Sequence, residues 1–402
     1  MKAVVWHDVG KVSVDDVRDP RIEHPDDAVV RITTSAICGT DLHFVRGTMP
    51  GMRPGTILGH EAVGVVTETG TNVRNFNVGD RVVIPSTIGC GSCVYCRAGY
   101  YAQCDNANPN GKTAGTAFYG GPQQTGPFDG LQAEYARVPF AHTNLVPIPP
   151  GVTDEQAVMV SDIWPTGWFG GRLAEIKDGD VVAVYGAGPV GQLAALSARM
   201  QGAGRVLIVD GVEDRLETAR LQNVETVNFN EEHPVETIRA LTGGIGADRV
   251  IDAVGVDAQM PKSGPAAEEA EKLIGQFADE QDKAAPRIAP AGGKWEPGDA
   301  PSLALRWAVD SVAKAGTIGI IGVYPPSHES FPIGQAMNEN LTLKMGNCNH
   351  RKYVPGLLSR IASGVDPTTV WTRQETIPSA IAAYEEFDKR SPGWTKVTLE
   401  VA

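Results

Sequence analysis

The middle of the chain alternates short apolar runs with stretches that favour helix. The apolar runs, most of them containing Val or Ile, cover residues 180–185, 205–210, 224–228, 247–255 and 317–323. Strands that alternate with helices in this way build a parallel sheet with helices on both faces. The pattern therefore predicts a doubly wound α/β domain, and residues 341–346 are expected to form its last strand.

The first 160 residues follow a different pattern. Apolar runs such as residues 2–6 and 28–33 are separated by Pro, Gly and Asp instead of helical stretches, which predicts a mainly β region. A chain of 402 residues is also too long for one ordinary core. We therefore expect a mainly β domain over residues 1–162, a doubly wound domain over residues 163–346, and a return of residues 347–402 to the first domain.

Residues 257–302 interrupt the alternation of strands and helices. They comprise an acidic helical patch, residues 266–284, and then a Pro- and Gly-rich run, residues 286–301. The insertion begins at the carboxyl end of a predicted strand, where doubly wound folds bind their ligands. Two interpretations stay open: the insertion covers a cofactor, or it is a solvated helical excursion or an oligomer contact.

Composition and charge narrow the classes of function. Apolar residues make up 42% of the chain and charged residues 21%, as in soluble globular proteins. The net charge of −13 argues against nucleic acid or an anionic membrane surface as a partner. The first residues do not resemble a signal peptide, and no apolar run approaches the roughly 20 residues that span a bilayer. We therefore expect a cytoplasmic protein, in which thiols stay reduced.

Four of the six cysteines form a compact motif. Cys-x-x-Cys-x-x-Cys is followed by a fourth cysteine eight residues later, giving Cys90, Cys93, Cys96 and Cys104. Four thiolates close a tetrahedral shell without an open position, so the motif predicts a structural zinc site. A disulfide pair is less consistent with a reducing compartment, and iron–sulfur motifs usually extend differently.

A second candidate metal site is scattered along the chain. Cys38, His60 and Asp162 are three plausible zinc ligands, separated by 22 and 102 residues. Three protein ligands leave the fourth coordination position open, as a catalytic zinc site requires. An aspartate before a helix is usually an N-cap, so Asp162 is included because no other Cys or His in its stretch supplies a third ligand.

Three further residues beside these ligands are candidates for catalysis. Thr40 could accept the proton of a substrate hydroxyl, and His43 could pass that proton to solvent. The alternative for this segment is a buried cysteine in a turn with a surface histidine. Glu61 is either a group that supports the metal ligands, an occasional fifth ligand, or an ordinary surface glutamate.

A glycine-rich motif marks a dinucleotide site. Gly186, Gly188 and Gly191 follow a predicted strand and open a predicted helix, and Asp210 ends the next strand nineteen residues later. The helix N-terminus can bind a pyrophosphate, and Asp210 can bind both ribose hydroxyls while repelling a 2′-phosphate. The motif therefore predicts NAD rather than NADP. Arg215 is expected over the adenine or on the helix surface. Other positions expected beside the cofactor are Gly39, Thr166, Pro189, Val190, Val254, Gly322 and Val323.

These motifs together resemble the zinc-dependent medium-chain alcohol dehydrogenases over essentially the whole chain. Gly59-His60-Glu61-x-x-Gly64, with Gly70 and Val73, matches the zinc signature of that family. Residues 161–167, Ser-Asp-Ile-Trp-Pro-Thr-Gly, look like the glutathione-independent formaldehyde dehydrogenase branch, in which aspartate replaces the usual third ligand. The resemblance implies a GroES-like catalytic domain, a Rossmann domain and a homotetramer, or less often a dimer. In that branch the insertion shields a tightly held NAD.

The combined expectation is a zinc-dependent oxidoreductase with two Zn2+ ions per chain. It would interconvert an alcohol, or an aldehyde hydrate, and the corresponding oxidised compound with NAD as the hydride acceptor. Two alternatives are a zinc-free, NADPH-dependent quinone or enone reductase on the same fold, and a non-catalytic regulatory protein that binds zinc and NAD.

Overall fold

The computed structural model describes residues 1–287, 295 and 297–401. The chain divides into two compact units. Unit 1 falls within residues 1–165, 288–295 and 347–402, and unit 2 within residues 166–287 and 296–346. Part of the predicted Pro- and Gly-rich run, residues 288–294 and 296, lies outside the described residues.

The first part of unit 1 consists mainly of strands. In chain order they are β1 (Lys2–Asp8), β2 (Lys11–Asp16), β3 (Ala28–Ile37), β4 (Thr56–Ile57), β5 (Ala62–Thr69), β6 (Arg81–Ile84), β7 (Tyr135–Val138) and β8 (Val146–Pro147). The helices between them are short: α1 (Gly39–Arg46), α2 (Val94–Arg97), α3 (Ala141–Asn144) and α4 (Asp154–Val158).

Unit 2 follows with alternating helices and strands. Its elements are α5 (Ile163–Ala174), which begins in unit 1, β9 (Val181–Tyr185), α6 (Pro189–Met200), β10 (Arg205–Asp210), α7 (Glu213–Leu221), β11 (Glu225–Asn228), α8 (Pro234–Leu241), β12 (Ala247–Asp252), α9 (Pro265–Ala270), α10 (Ile274–Ala284), α11 (Leu303–Ser311), β13 (Val312–Ile320), α12 (Ile333–Asn338) and β14 (Thr342–Met345).

The last part of the chain belongs to unit 1. It contains α13 (His350–Ala362), β15 (Arg373–Thr376), α14 (Ala380–Asp388) and β16 (Val397–Glu400). Strand β16 pairs antiparallel with β3, so the end of the chain extends a sheet that begins near residue 28. The sheet order is β15-β16-β3-β5-β6-β8, with β7 also paired to β3, and a smaller sheet has the order β2-β1-β4.

Unit 2 is built on one parallel sheet with the order β11-β10-β9-β12-β13-β14. Strand β9, Val-Val-Ala-Val-Tyr, is buried along most of its length, as expected for a strand covered by helices on both faces. The strand order reverses between β9 and β12, and doubly wound folds bind ligands at the carboxyl ends of the strands beside this point. The predicted fold class, with its mainly β and doubly wound parts, is confirmed.

Several predicted elements differ from the structure. Cys38 does not lie in a simple turn, because helix α1 begins directly after it. Strand β13 begins at Val312, five residues before the predicted apolar run over residues 317–323. The residues before 317 include good helix formers, but Val312 pairs with Ala247 of β12, and this tertiary pairing overrides local propensity.

The helical part of the insertion packs onto unit 2. Phe277 of α10 is buried in the unit 2 core, together with Ala266 and Ala270 of α9. Glu280 accepts hydrogen bonds from the backbone N–H and the hydroxyl of Ser302, at 3.1 and 3.0 Å. A purely solvated excursion is therefore the wrong interpretation for these helices. None of the helices among the described residues is long and apolar enough to cross a membrane.

Candidate active site

The three scattered ligand candidates converge inside unit 1. Cys38 follows the last residue of β3, and His60 lies two residues before the start of β5. These strands are antiparallel partners, with Ser35 opposite Ala62, so the end of one lies beside the start of the other. Asp162 directly precedes α5, and the neighbouring Ser161 carbonyl accepts the N–H of Ser86, just beyond β6, at 3.0 Å. The ligands therefore converge because the end of β3, the start of β5 and the segment before α5 lie next to one another.

The donor atoms have spacings that suit a zinc ion. Asp162 Oδ2 lies 3.0 Å from His60 Nε2 and 3.8 Å from Cys38 Sγ. Ligand bonds of about 2.0–2.3 Å imply edges of about 3.3–3.8 Å in a tetrahedral zinc shell, so the sulfur–oxygen distance matches and the nitrogen–oxygen distance is slightly short. One atom each from Cys38, His60, Asp162 and Glu61 lies within 4.8 Å of the others, and all four residues are buried. A thiolate, an imidazole and a carboxylate at this spacing fit zinc.

Asp41 supports two of these ligands, a role that the sequence analysis missed. Its Oδ1 lies 3.1 Å from His60 Nδ1. Its Oδ2 accepts the backbone N–H of Cys38 at 3.0 Å and the Gln132 side-chain amide at 3.2 Å. A carboxylate on one imidazole nitrogen orients the ring so that the other nitrogen faces the metal.

The carboxylate of Asp162 is also held from its far side. His350, the first residue of α13, places its Nε2 2.5 Å from Asp162 Oδ1. Both carboxylate oxygens therefore face histidines, and Asp162 is more than a helix cap. His350 carries no signal in the sequence, because it lies 188 residues further along the chain in a segment without a metal-binding spacing.

Glu61 is not a surface residue. Its side chain is fully buried and forms an ion pair with Lys396, which is also fully buried. The Lys396 ammonium donates a second hydrogen bond to the Ile37 carbonyl at 3.1 Å. This arrangement supports the interpretation of Glu61 as a group that assists the metal ligands, and adds Lys396 as its unpredicted partner.

The electrostatics of the cluster favour a bound cation. Burial alone would lower the pKa of His60, but the Asp41 and Asp162 carboxylates hold it well above its ordinary value. Burial would raise the pKa of Asp162, yet His350 and His60 hold it well below the usual range. The pKa of Cys38 is raised, first by burial and then by the Glu61 carboxylate. Excess negative charge at one buried point is what a divalent cation neutralises.

The proposed proton-transfer residues lie on α1. Thr40 is half-buried, with its hydroxyl 3.9 Å from Cys38 Sγ. His43 follows three residues later on the same helix, and this spacing places the two side chains on one helix face. His43 is only 4% exposed within the described structure, so the alternative of a surface histidine is wrong, and its own side chain does not make the expected direct contact with solvent.

The four-cysteine motif forms a second cluster in unit 1. Cys90, Cys93, Cys96 and Cys104 bring their sulfur atoms within 4.8 Å of one another. All are free thiols, and the 3.9 Å between Cys93 Sγ and Cys104 Sγ is far longer than a disulfide bond of about 2.05 Å. The disulfide alternative is therefore wrong, and the spacing suits tetrahedral zinc.

Hydrogen bonds prepare this loop for thiolates. Cys90 Sγ accepts the N–H groups of Ser92 and Cys93 at 3.5 and 3.4 Å. Cys104 Sγ accepts the N–H groups of Cys90 and Asn106 at 3.2 and 3.4 Å. The hydrogen bond from the Cys96 thiol, together with these backbone donors, lowers the pKa of Cys104 to about 4, while the same hydrogen bond raises the pKa of Cys96. The ligand form of cysteine is the thiolate, so the loop favours metal binding.

The glycine-rich loop lies in unit 2, between β9 and α6. Gly188 is the N-cap of α6, and Pro189 and Val190 form its first turn. Gly186 has a φ of +92°, which favours glycine. A Cβ on Gly191 would lie 1.8 Å from the Gly186 carbonyl oxygen, so the loop tolerates no side chain there. The loop opens a twelve-residue helix, and the unpaired N–H groups of a helix N-terminus are suited to binding a pyrophosphate.

Asp210 ends β10 beside this loop. Its Oδ2 accepts the Ala187 N–H at 2.7 Å, and its Oδ1 accepts the N–H groups of Gly211 and Val212 at 2.8 and 2.9 Å. These bonds fix the carboxylate at the position expected for the ribose. The Arg215 guanidinium also lies near the loop, 3.8 Å from a Cβ built on Gly188.

The other residues predicted to contact the cofactor fall into two groups, one at the sheet edge beside the loop and one on helices. Val254 follows β12 and contacts the loop, since a Cβ on Gly186 would lie 2.7 Å from its side chain. Gly322 and Val323 follow β13, and the Asp252 carbonyl accepts the Gly322 N–H at 2.9 Å. These residues share one sheet edge with the loop. Gly39 and Thr166 lie on α1 in unit 1 and on α5 in unit 2, and their contact with a cofactor stays a prediction.

Comparisons with known proteins agree with this geometry. Two family models match the chain: alcohol dehydrogenase GroES-like domain over residues 24–150 and zinc-binding dehydrogenase over residues 189–273. The chain is 37% identical to the uncharacterized zinc-type alcohol dehydrogenase-like protein AdhB of Bacillus subtilis, over 100% of both chains. A glutathione-independent formaldehyde dehydrogenase of the same species is 30% identical, over 96% of this chain and 94% of that protein.

A solved structure extends the likeness to three dimensions. Alcohol dehydrogenase TADH from Thermus sp. ATN1 superposes with a TM-score of 0.79 at 32% identity, and the match covers 100% of both chains. The same family assignment follows from the two candidate metal clusters, from the Rossmann-type nucleotide loop and from the full-length relatives. The chain belongs to the zinc-binding medium-chain alcohol dehydrogenase family and is an oxidoreductase of that type.

Proposed function

We propose that the protein oxidises a small alcohol, or a hydrated aldehyde, by transferring a hydride to NAD, and that it also catalyses the reverse reaction. The observation that carries the proposal is the convergence of Cys38, His60 and Asp162 in one buried cluster within unit 1. These ligands come from three distant segments, and an alcohol dehydrogenase needs such a three-ligand site with one open position.

Cys38, His60 and Asp162 would hold the catalytic zinc. Bound there, zinc would supply Lewis-acid polarisation of the substrate oxygen. The residues around the ligands orient them and shield them from water. Asp41 orients His60 through its Nδ1 side, and the burial of the cluster excludes water from the metal face of the ligands.

Thr40 and His43 are proposed to remove the substrate proton. The Thr40 hydroxyl lies beside Cys38 and would accept the hydroxyl proton as the carbon–hydrogen bond loses its hydride. His43 lies one helical turn further along the same face of α1 and would take that proton from Thr40. NAD, bound at the glycine-rich loop, would supply the hydride acceptor, and the proton would remain on His43.

NAD is proposed over NADP because of Asp210. Its carboxylate ends β10 beside the glycine-rich loop, and three backbone N–H groups fix it there. A fixed carboxylate can accept ribose hydroxyls but repels a 2′-phosphate. The cysteine cluster is proposed to hold a second, structural zinc, which gives two Zn2+ ions per chain.

A hydrated aldehyde is a second candidate substrate. The proposed third ligand is an aspartate, Asp162, as in the formaldehyde dehydrogenase branch that the sequence resembles, and one relative of that name is 30% identical. The zinc-free reductase is disfavoured because it would need neither metal cluster. A regulatory protein is disfavoured because binding alone requires no Thr40–His43 pair.

Replacing Asp162 by Ala tests the assignment. We expect zinc content, measured by mass spectrometry of the metal, to fall from two ions to one per chain, with loss of NAD-dependent activity on a panel of alcohols and aldehydes. The cysteine cluster lies on another loop and serves as the internal control. A purified variant with two zinc ions and full activity would show that Asp162 is not a ligand.

A further inference from the structure

We propose that His350 is a positioning residue that restricts Asp162 to binding the catalytic metal through a single oxygen. The inference rests on the proposed function, in which Asp162 is the third ligand. It assigns a role in the active site to the segment after residue 346, which was predicted only to return to the first domain.

The two oxygens of Asp162 have separate partners. Oδ2 faces the metal cluster, 3.0 Å from His60 Nε2 and 3.8 Å from Cys38 Sγ. Oδ1 lies on the other side, 2.5 Å from His350 Nε2. His350 therefore occupies the oxygen that the metal would need for two-oxygen binding.

His350 is itself held in place. Its ring is 4% exposed, and its Nδ1 lies 3.1 Å from the Thr87 hydroxyl. The same hydroxyl lies 3.4 Å from the Cys348 carbonyl. The preceding residue, Asn349, accepts the Ala102 N–H at 3.0 Å through its side chain. The ring is thus fixed by contacts from two other segments of unit 1.

The contact between His350 and Asp162 does not depend on the charge of the imidazole. A carboxylate only accepts hydrogen bonds, so Nε2 carries a proton in both the neutral and the charged ring. In the neutral ring Nδ1 accepts from Thr87. In the charged ring Nδ1 donates to Thr87, whose hydroxyl can then donate to the Cys348 carbonyl.

The consequence concerns the open coordination position. A catalytic zinc site needs three protein ligands and one free position for substrate. If Asp162 bound through both oxygens, the second oxygen would compete for that position. By holding Oδ1, His350 keeps the ligand count at three, and it also fixes the direction in which Oδ2 points.

Two variants that differ only in reach test this role. In H350Q the side-chain amide nitrogen extends to about the place of the imidazole Nε2, whereas in H350N it stops short of Oδ1. The matched control is H233N, because His233 is also buried and its Nε2 lies 2.7 Å from a carboxylate, that of Glu269 within unit 2. Cobalt substitution reports the ligand geometry through visible absorption, and chelator competition reports metal affinity.

We expect H350N to bind the catalytic metal about 10- to 100-fold more weakly, the usual effect of losing a partner of a metal ligand, with a changed cobalt spectrum. H350Q and H233N should keep the wild-type affinity and spectrum. Identical behaviour of folded H350N and wild type would overturn the inference. If H350N does not fold, the test rests on H350Q. A cobalt spectrum of H350Q that differs from the wild-type spectrum would also overturn the inference. A wild-type protein with only the cysteine-bound metal would refute the proposed function itself.

Discussion

The buried pair between Glu61 and Lys396 gives a sharp test of the electrostatic reasoning. Both side chains are fully buried, and the ammonium also donates to the Ile37 carbonyl. Replacing Lys396 by Met keeps a long apolar stem but removes the charge. Glu61 then stays behind as a buried carboxylate without its cation.

The K396M variant loses stability because the buried Glu61 carboxylate is left without its cation. Breaking a buried ion pair by removing one partner costs about 3–5 kcal/mol. At about 1.4 kcal/mol per factor of ten, this lowers the folding equilibrium constant roughly 100- to 5,000-fold. Burial already raises the pKa of Glu61, and the loss of Lys396 removes the main opposing influence. The folded variant therefore keeps the Glu61 proton to a higher pH than the unfolded chain does.

The proton on Glu61 determines whether the stability of the K396M variant rises or falls with pH. The folded K396M variant binds more protons than its unfolded chain above the ordinary glutamate pKa of about 4.3, so its stability falls as the pH rises from there toward the raised pKa of Glu61. The wild-type protein, with Glu61 paired, should lose less stability over the same window. Urea unfolding of the zinc-loaded protein at pH 5 and pH 8 measures both effects.

Two variants complete the experiment. The double variant E61Q/K396M removes both charges and should recover most of the lost stability. The control K344M breaks the exposed pair with Glu175 and should cost less than about 1 kcal/mol. The assigned electrostatic role of the Glu61–Lys396 pair is wrong if K396M loses no more unfolding free energy than K344M. It is also wrong if K396M loses the same unfolding free energy at both pH values.

Three further predictions concern the cofactor loop and the cysteine cluster. Gly191→Ala places a Cβ against the Gly186 carbonyl oxygen, and relieving this overpacking costs about 1–3 kcal/mol. We therefore expect NAD affinity, measured by calorimetry, to fall roughly 5- to 150-fold while zinc content stays at two. Cys93→Ser should reduce zinc from two ions to one per chain and lower the melting temperature; retention of both ions would exclude Cys93 as a ligand. Asp210→Asn removes the charge that opposes a 2′-phosphate, so the ratio of NADP to NAD dissociation constants should narrow, and an unchanged ratio would contradict the assigned role.

The features that the sequence predicted best are the local ones. The four-cysteine motif and the glycine-rich loop place all their residues within a few turns of chain, so spacing alone specifies their geometry. The order of strands and helices in unit 2 follows from hydrophobic pattern for the same reason. The family resemblance, which full-length relatives confirm, rests on these motifs and on the stretch around His60.

The features that the sequence could not predict depend on distant partners. Asp41 was not among the predicted site residues, because nothing in its neighbourhood reveals the His60 ring that it faces. His350 and Lys396 carry no motif, and each acquires its role only from the residue it meets. Strand β13 was placed too late along the chain for a similar reason, since its first residue is fixed by pairing with β12.

The end of the chain completes the candidate active site. Asp162 meets a residue 188 positions later, and Glu61 meets one 335 positions later, both in the segment after residue 346. Closing such long loops costs entropy before any contact compensates for it. The three ligands can therefore be held in metal-binding geometry only after β16 has joined β3 and α13 has packed in unit 1. Metal affinity at this site is thus linked to the folding of the whole unit, whereas the cysteine loop carries its ligands within fifteen residues and can bind metal on its own local structure.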